Sequence, residues 1–174
     1  MQDLDALARL IPTMCIGHRT RMAARALSRH YHAYFRGANL TASQFGILLS
    51  LAAKPDQSIA QLGIDLQMEH TTMVRAVQQL ERRGLVRATG GRGRQRKRST
   101  LTPEGRRLLQ GGVRRWQAAH DAVVEALGGE RPAKVMLAAL DSLGRTATSL
   151  SRDMPRRVRS TTQAHARARV TRSR

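Results

Sequence analysis

The 174-residue chain reads as mainly α-helical with one small β-hairpin, and three observations lead there. Apolar residues recur at helical spacing in almost every segment. Two short stretches, 85–89 and 99–101, flank a loop of glycine and arginine as the arms of a hairpin would. Capping residues and glycines, rather than long polar loops, mark the boundaries between helical segments.

The elements follow in order. Residues 13–36 carry Ile16, Ala23, Leu27, Tyr31, Tyr34 and Phe35 on roughly one helical stripe, which Gly37 and Asn39 end. Thr41-Ala42-Ser43-Gln44 has the form of a capping box, with Thr41 capping the Gln44 amide and Gln44 reaching back. Phe45, Leu48, Leu49 and Ala52 are the expected buried face of the helix it opens, and Lys54-Pro55-Asp56 stops that helix. Ser58 caps a short helix whose Ile59, Leu62 and Leu66 face inward. A further helix, about 69–83, sets Met73, Ala76, Val77 and Leu80 on one side and Thr71, Thr72, Arg75, Gln78, Gln79 and Arg82 on the other, with Gly84 as its stop. After the hairpin, Thr102-Pro103-Glu104 supplies an N-cap, a proline at the first helical position and a carboxylate at the positive end of the dipole. That helix passes through Leu108, Leu109, Val113, Trp116, Val123 and Leu127, and Gly128-Gly129 breaks it. A last helix starts near Pro132 and carries Val135, Met136, Leu140, Leu143 and Leu150.

The formal net charge is +19. Self-repulsion at that charge disfavours the compact state, so a polyanionic partner is implied, nucleic acid before an anionic membrane. Arginine outnumbers lysine, which favours bidentate phosphate and guanine contacts. A single cysteine excludes an internal disulfide and fits a reducing compartment. The acidic start lacks the form of a secretory signal, and no apolar run approaches the ~18 residues of a membrane span. A soluble, cytoplasmic protein is expected. Elbow, zincin and Walker motifs are all missing, so neither an enzyme nor a cofactor is expected. His30 and His32 stand two apart on a helix and do not share a face, so no metal site is expected either.

Two short helices followed by a hairpin make a winged helix-turn-helix, whose second helix enters the major groove. His70, Thr71, Thr72, Arg75 and Gln78 are the expected readers of base edges, with Arg75 suited to guanine and Gln78 to adenine. Thr41, Ser43, Ser58 and Gln61, near helix starts, are expected to hold phosphates. Arg92, Arg94, Arg96 and Lys97 of the wing are expected along the backbone or in the minor groove.

These residues carry a family resemblance. Over residues 40–110 the chain resembles the winged-helix region of MarR-type transcription regulators, most clearly in Leu40-Thr41-x-x-Gln44-Phe45, Thr71-Thr72-x-Val74-Arg75, Leu80-Glu81-Arg82-Arg83-Gly84-Leu85-Val86 and Leu101-Thr102-Pro103-Glu104-Gly105. Two positions depart from the family pattern. Gly93-Arg94-Gln95 replaces a wing Asp-Arg-Arg, whose Asp braces the wing arginines, and Gln67 replaces a turn glycine. The resemblance implies dimerising flanking helices, hence four regions: 1–36 and 103–151 as dimerisation helices, 40–102 as the DNA-binding domain, and 152–174 as a basic tail too poor in apolar residues to pack alone. Cys15 falls near the start of the first long helix with His18 and Arg19 at i+3 and i+4, features that favour a reactive thiolate. Organic-hydroperoxide sensors of the MarR type have their cysteine at a similar place, with tyrosines nearby. A small residue buried in a dimer interface is the alternative for Cys15.

The expected function is thus a homodimeric transcription regulator, a repressor on a palindromic operator, released by a small-molecule effector or by oxidation of Cys15. A low-specificity DNA-coating protein is the alternative, and an RNA-binding protein is disfavoured by the scarcity of aromatic stacking platforms.

Overall fold

The computed structural model describes residues 3–90 and 98–153. Its elements are α1 (Leu4–Met14), α2 (Ile16–Phe35), α3 (Ala42–Ala53), β1 (Gln57–Ser58), α4 (Ile59–Asp65), α5 (His70–Arg82), β2 (Val86–Thr89), β3 (Arg98–Leu101), α6 (Pro103–Ala126) and α7 (Glu130–Asp153). The chain forms two compact units, 1–122 and 123–174. The basic tail from 154 onward and the wing residues Arg92, Arg94, Arg96 and Lys97 lie outside the described residues.

The N-terminal region is not the single helix expected at 13–36. Asp3 caps α1, its carboxylate accepting the Asp5 amide at 3.0 Å. Cys15 then takes an extended conformation, φ −75° and ψ 108°, and serves as C-cap of α1 and N-cap of α2 together. Its N–H donates to Ile11 O at 2.9 Å, and its carbonyl accepts the Arg19 amide at 3.0 Å. One residue's backbone therefore separates two helices whose apolar spacing runs on almost without a break.

The core of the first unit gathers around α3, α4 and α5. Ile47, Leu48, Leu62, Met73, Val77 and Leu80 are wholly buried, joined by Phe35, Phe45, Leu51, Ile59, Leu85, Val86 and Leu109. Burying an aliphatic or methionine side chain of this kind contributes about 1.5–3 kcal/mol. Leu49, expected inside, is 47% exposed, while Ile47 and Leu51 are buried in its stead. α3 is wrapped by neighbours over most of its circumference, so its inward face is not one simple stripe.

Residue choice sets the boundaries. Thr41 and Gln44 form the full capping box, both bonds at 3.1 Å. Ser58 Oγ accepts the Gln61 amide at 3.1 Å and starts α4. Gln67 adopts φ 51° in the turn before α5, the left-handed conformation that the missing turn glycine would have entered freely. β2 and β3 form the hairpin stem, with Val86 opposite Leu101 and Thr89 opposite Arg98. β1 pairs antiparallel to the other edge of β3, giving the order β1-β3-β2. This third strand is two residues long and left no sequence signal.

Thr102 joins the stem to α6. Its Oγ1 accepts the Gly105 amide at 3.0 Å and donates to Gly84 O at 2.7 Å, and its N–H donates to Leu85 O at 3.1 Å. Gly105 is required there, because a Cβ would lie 2.0 Å from Leu85 O. In the second unit, Gly128 and Gly129 take φ 91° and 101° and end α6. The Gly129 amide reaches back to Val124 O at 2.8 Å. α7 leaves Val135, Met136, Leu137, Leu140 and Leu150 exposed, Val135 by 66%.

Candidate nucleic-acid interface and adjoining cavity

α5 is two-sided. Met73, Val77 and Leu80, three or four apart, are wholly buried, which anchors the helix along one line and fixes which residues point away. His70, Thr71, Thr72, Arg75 and Gln78 are all exposed. His70 to Gln78 spans about 12 Å of helix, so the five side chains form one patch weighted to the N-terminal half of α5. Such a patch fits a major groove about 12 Å wide.

Three of the four residues expected on phosphates have structural work as well. Thr41 Oγ1 and Ser58 Oγ accept capping amides and keep only their O–H for another partner. The Gln61 amide group donates to Asp65 Oδ1 at 2.7 Å. That bond first, then Lys54 at 3.1 Å, holds the Asp65 carboxyl below its ordinary pKa. Gln57, almost fully buried, donates to the same carboxylate at 3.2 Å and accepts from Ser50 Oγ at 3.3 Å. Ser43 is exposed and also lines a cavity.

Two arginines outside the expected set position the patch. Arg83, just past α5, donates to Gln44 Oε1 at 3.1 Å and to Asn39 O, tying the end of α5 to the capping box of α3. Arg98, the first residue of β3, donates through Nε to Asp56 Oδ2 at 2.6 Å and through Nη2 to Asp56 O. The wing lacks the Asp of the resembled pattern, yet at the stem Asp56 braces Arg98 from the turn after α3. The sequence signal was faint: an Asp beside a proline and an Arg opening a strand, 42 residues apart.

A cavity of about 430 Å³ lies among α2, α3 and α6 of the first unit. Leu27, Phe35, Phe45, Leu49 and Trp116 make its wall apolar, and Tyr31, His32 and Ser43 add polar groups. The exposure of Leu49 is thus onto this cavity. Burial raises the Tyr31 phenol above its ordinary pKa and keeps the hydroxyl protonated as a donor. Beside the cavity, the Trp116 ring stacks on His120 at 5.0 Å between centroids.

Cys15 is half-buried at the N-terminal end of α2. No hydrogen bond joins its thiol to His18 or Arg19 among the described residues. Tyr31 stands about 24 Å further along the same helix, beyond reach of the Cys15 of its own chain. Among the described residues, no three His, Cys, Asp or Glu side chains gather as metal ligands. No described helix is long and apolar enough to cross a membrane.

The MarR family model matches residues 38–96, the stretch that holds the capping box, α3, α4, α5 and β2. The structure is similar to that of the M. tuberculosis transcriptional regulator MosR, at 29% identity and a TM-score of 0.67, over 78% of this chain and 98% of that one. The chain thus resembles MarR-type regulators in sequence over residues 38–96 and in fold beyond them. MosR in complex with DNA is similar at 29% identity and a TM-score of 0.65, over 76% of this chain and 98% of that chain. The PcaV regulator of Streptomyces coelicolor, in complex with its natural ligand, shares the fold at 21% identity and a TM-score of 0.66, over 78% of this chain and 96% of its own. No curated protein sequence matches this chain.

Proposed function

We propose that this protein is a MarR-type repressor that binds a palindromic operator in duplex DNA as a homodimer. The observation that carries the reading is α5, pinned to the core by Met73, Val77 and Leu80 while His70, Thr71, Thr72, Arg75 and Gln78 point to solvent. Arg75 and Gln78 read bases; the hydroxyls of Thr41, Ser43 and Ser58 and the amide of Gln61 approach phosphates; Arg92, Arg94, Arg96 and Lys97 follow the backbone beside them. Exposed Leu4, Ile11 and Met14 on α1, and Val135, Leu140 and Leu150 on α7, favour a dimer, since they are apolar surface that a second copy would cover. Residues 1–36 and 103–151 are the dimerising regions of this reading, around the DNA-binding domain at 40–102.

Release follows from a small effector in the apolar cavity beside α3, or from oxidation of Cys15. The sensing thiolate would rely on the N-terminal end of α2 and on His18 and Arg19. Hydroperoxide that modifies Cys15 yet leaves DNA affinity unchanged would remove the second route.

The test is fluorescence anisotropy on the upstream intergenic DNA of the gene against scrambled DNA, across a salt series. A regulator prefers its operator by about 10³ or more. Arg75→Ala should weaken operator binding by about tenfold to a hundredfold and leave scrambled DNA little affected. Equal affinity for both DNAs, falling together with salt, would support the second reading, a DNA-coating protein, which the net charge of +19 favours.

A further inference from the structure

α2 carries four arginines and no carboxylate. Three of them, Arg21, Arg25 and Arg29, stand four apart, so they share one helix face with Cα atoms about 6 Å apart. His18 and His32, three residues before and three after, continue the line to about 21 Å. Like charges at this spacing disfavour a helix, and the ladder sets two such pairs in succession. Its placement asks for a reason.

The direction of the ladder is fixed by what holds the other side of α2. Phe35 is buried, its ring 5.3 Å from that of Phe45 between centroids, and the His30 ring meets Ala119 O of α6 at 2.9 Å. Tyr31 and Tyr34, between those two anchors, are half-buried. All of these residues belong to the first unit. Arg21, Arg25 and Arg29 fall on the opposite side and are exposed.

Other arginines of the unit are tied down. Arg83 donates to Gln44, Arg98 to Asp56, and Arg115 to Tyr34 O at 3.0 Å and Arg36 O at 3.2 Å. Arg21, Arg25 and Arg29 have no hydrogen-bond or ion-pair partner among the described residues. From residue 3 to residue 36 the chain has two carboxylates, Asp3 and Asp5, both at the start of α1. The same region of a second copy therefore brings almost nothing to neutralise the ladder.

We propose that this face of α2 holds a second DNA duplex, so that a protein seated on its operator through α5 bridges two DNA segments. The inference rests on the reading of α5 as the operator reader. Duplex DNA presents one negative charge per ~1.7 Å of its axis, so a straight ladder of about 21 Å meets phosphates in whatever register it lands. The planar fork of arginine takes phosphate oxygens in pairs. No base edge is involved, and the contact is indifferent to sequence. An acidic protein segment would instead need carboxylates at matching turns. α2 and α5 turn these faces away from one shared core on different helices, and each holds its own segment.

The test uses the full-length protein with a fluorescent duplex of the upstream intergenic DNA, in slight excess so that α5 is occupied, and a biotinylated scrambled duplex on beads. Wild type should carry the fluorescent duplex onto the beads at physiological salt. Arg21→Gln, Arg25→Gln and Arg29→Gln combined should cut that capture tenfold or more, with operator affinity within twofold and an unchanged melting temperature. The slope of log affinity for the scrambled duplex against log salt should fall by about 3, close to one for each lost phosphate contact. Arg75→Ala, which acts at α5, should leave retention of the protein itself on the beads intact. No capture by wild type on a saturated operator would overturn the proposal, as would unchanged capture in the triple variant. A parallel loss of operator affinity in that variant would place the three arginines in the operator footprint and end the proposal. A changed sedimentation coefficient would give the ladder to a contact between copies, and release by poly-glutamate at a lower charge concentration than by free scrambled duplex would give it to an acidic protein; either result overturns it too. If wild type shows no preference for the upstream DNA while capture still depends on the three arginines, the repressor reading fails and the α2 contact stands.

Discussion

Replacing Gly105 by alanine should be among the most damaging single-methyl changes available in this chain. The added Cβ would sit 2.0 Å from Leu85 O and 3.0 Å from both Leu85 C and Leu101 Cδ1. The nearest atom is backbone, so no side chain can rotate away. Restoring an ordinary contact of 3.4 Å requires a displacement of about 1.4 Å at the start of α6. That displacement stretches the Thr102 amide bond to Leu85 O, 3.1 Å, and the Thr102 hydroxyl bond to Gly84 O, 2.7 Å. Two such bonds contribute about 2 kcal/mol together, and overpacking adds about 1–3 kcal/mol. The helix preference of alanine, at most about 1 kcal/mol, offsets only part. A net loss of about 2–4 kcal/mol should lower Tm by roughly 5–15 °C in a protein of this size. The assay is thermal unfolding followed by circular dichroism, with Gly111→Ala, where a Cβ would meet nothing within 4 Å, as the control that should move the other way. If the two variants melt within 2 °C of each other, the close approach of α6 to Leu85 is not what fixes the helix start.

Three further outcomes are expected. Gln67→Gly should raise stability by about 0.5–1 kcal/mol, because the left-handed φ of 51° disfavours glutamine; a lower midpoint in urea would show that the Gln67 Nε2 bond to Ile64 O outweighs the backbone. Ser99→Ala should be neutral or stabilising by about 1 kcal/mol, since Ser99 Oγ is buried with no partner among the described residues; a clear drop in Tm would reveal a partner. Asp65 has a folded pKa below its ordinary value, so its stabilisation is fully present above the unfolded value near pH 4 and is lost as pH falls through the folded one. The stability difference between wild type and Asp65→Asn should therefore be greatest near neutral pH and shrink towards pH 3, and a difference constant with pH would mean that the carboxylate charge is not involved.

Local signals were the legible part of this fold. Thr41 with Gln44, Ser58, Thr102 with Pro103, and Gly128-Gly129 each act within four residues of themselves, so the sequence alone places their helix ends. The outward face of α5 was legible for the same reason: its buried stripe repeats at helical spacing. What escaped was either too small or too distant. The break at Cys15 is one residue's backbone inside continuous apolar periodicity, although Asp3 followed by Leu4, Leu7, Ile11 and Met14 could have announced α1. Leu49 looked like core because a cavity wall and a core have the same composition. The Arg83–Gln44 and Arg98–Asp56 pairs join residues about forty positions apart, and no spacing rule connects them. Gly105 was visible as part of a motif, but only the Leu85 carbonyl explains it.

β3 is the middle strand of its sheet, with β2 on one edge and β1 on the other, and Arg98 at its outer end is clamped to Asp56. The stem is therefore a cantilever socket, held by pairing on both edges of β3 and by the Asp56 bridge. A segment exchanged between Gly90 and Arg98 would start from the same two mounting points. Exchange of that insert alone would make this chain an interchangeable-tip scaffold, its tip changed while α5 beside it keeps its own anchors in the core.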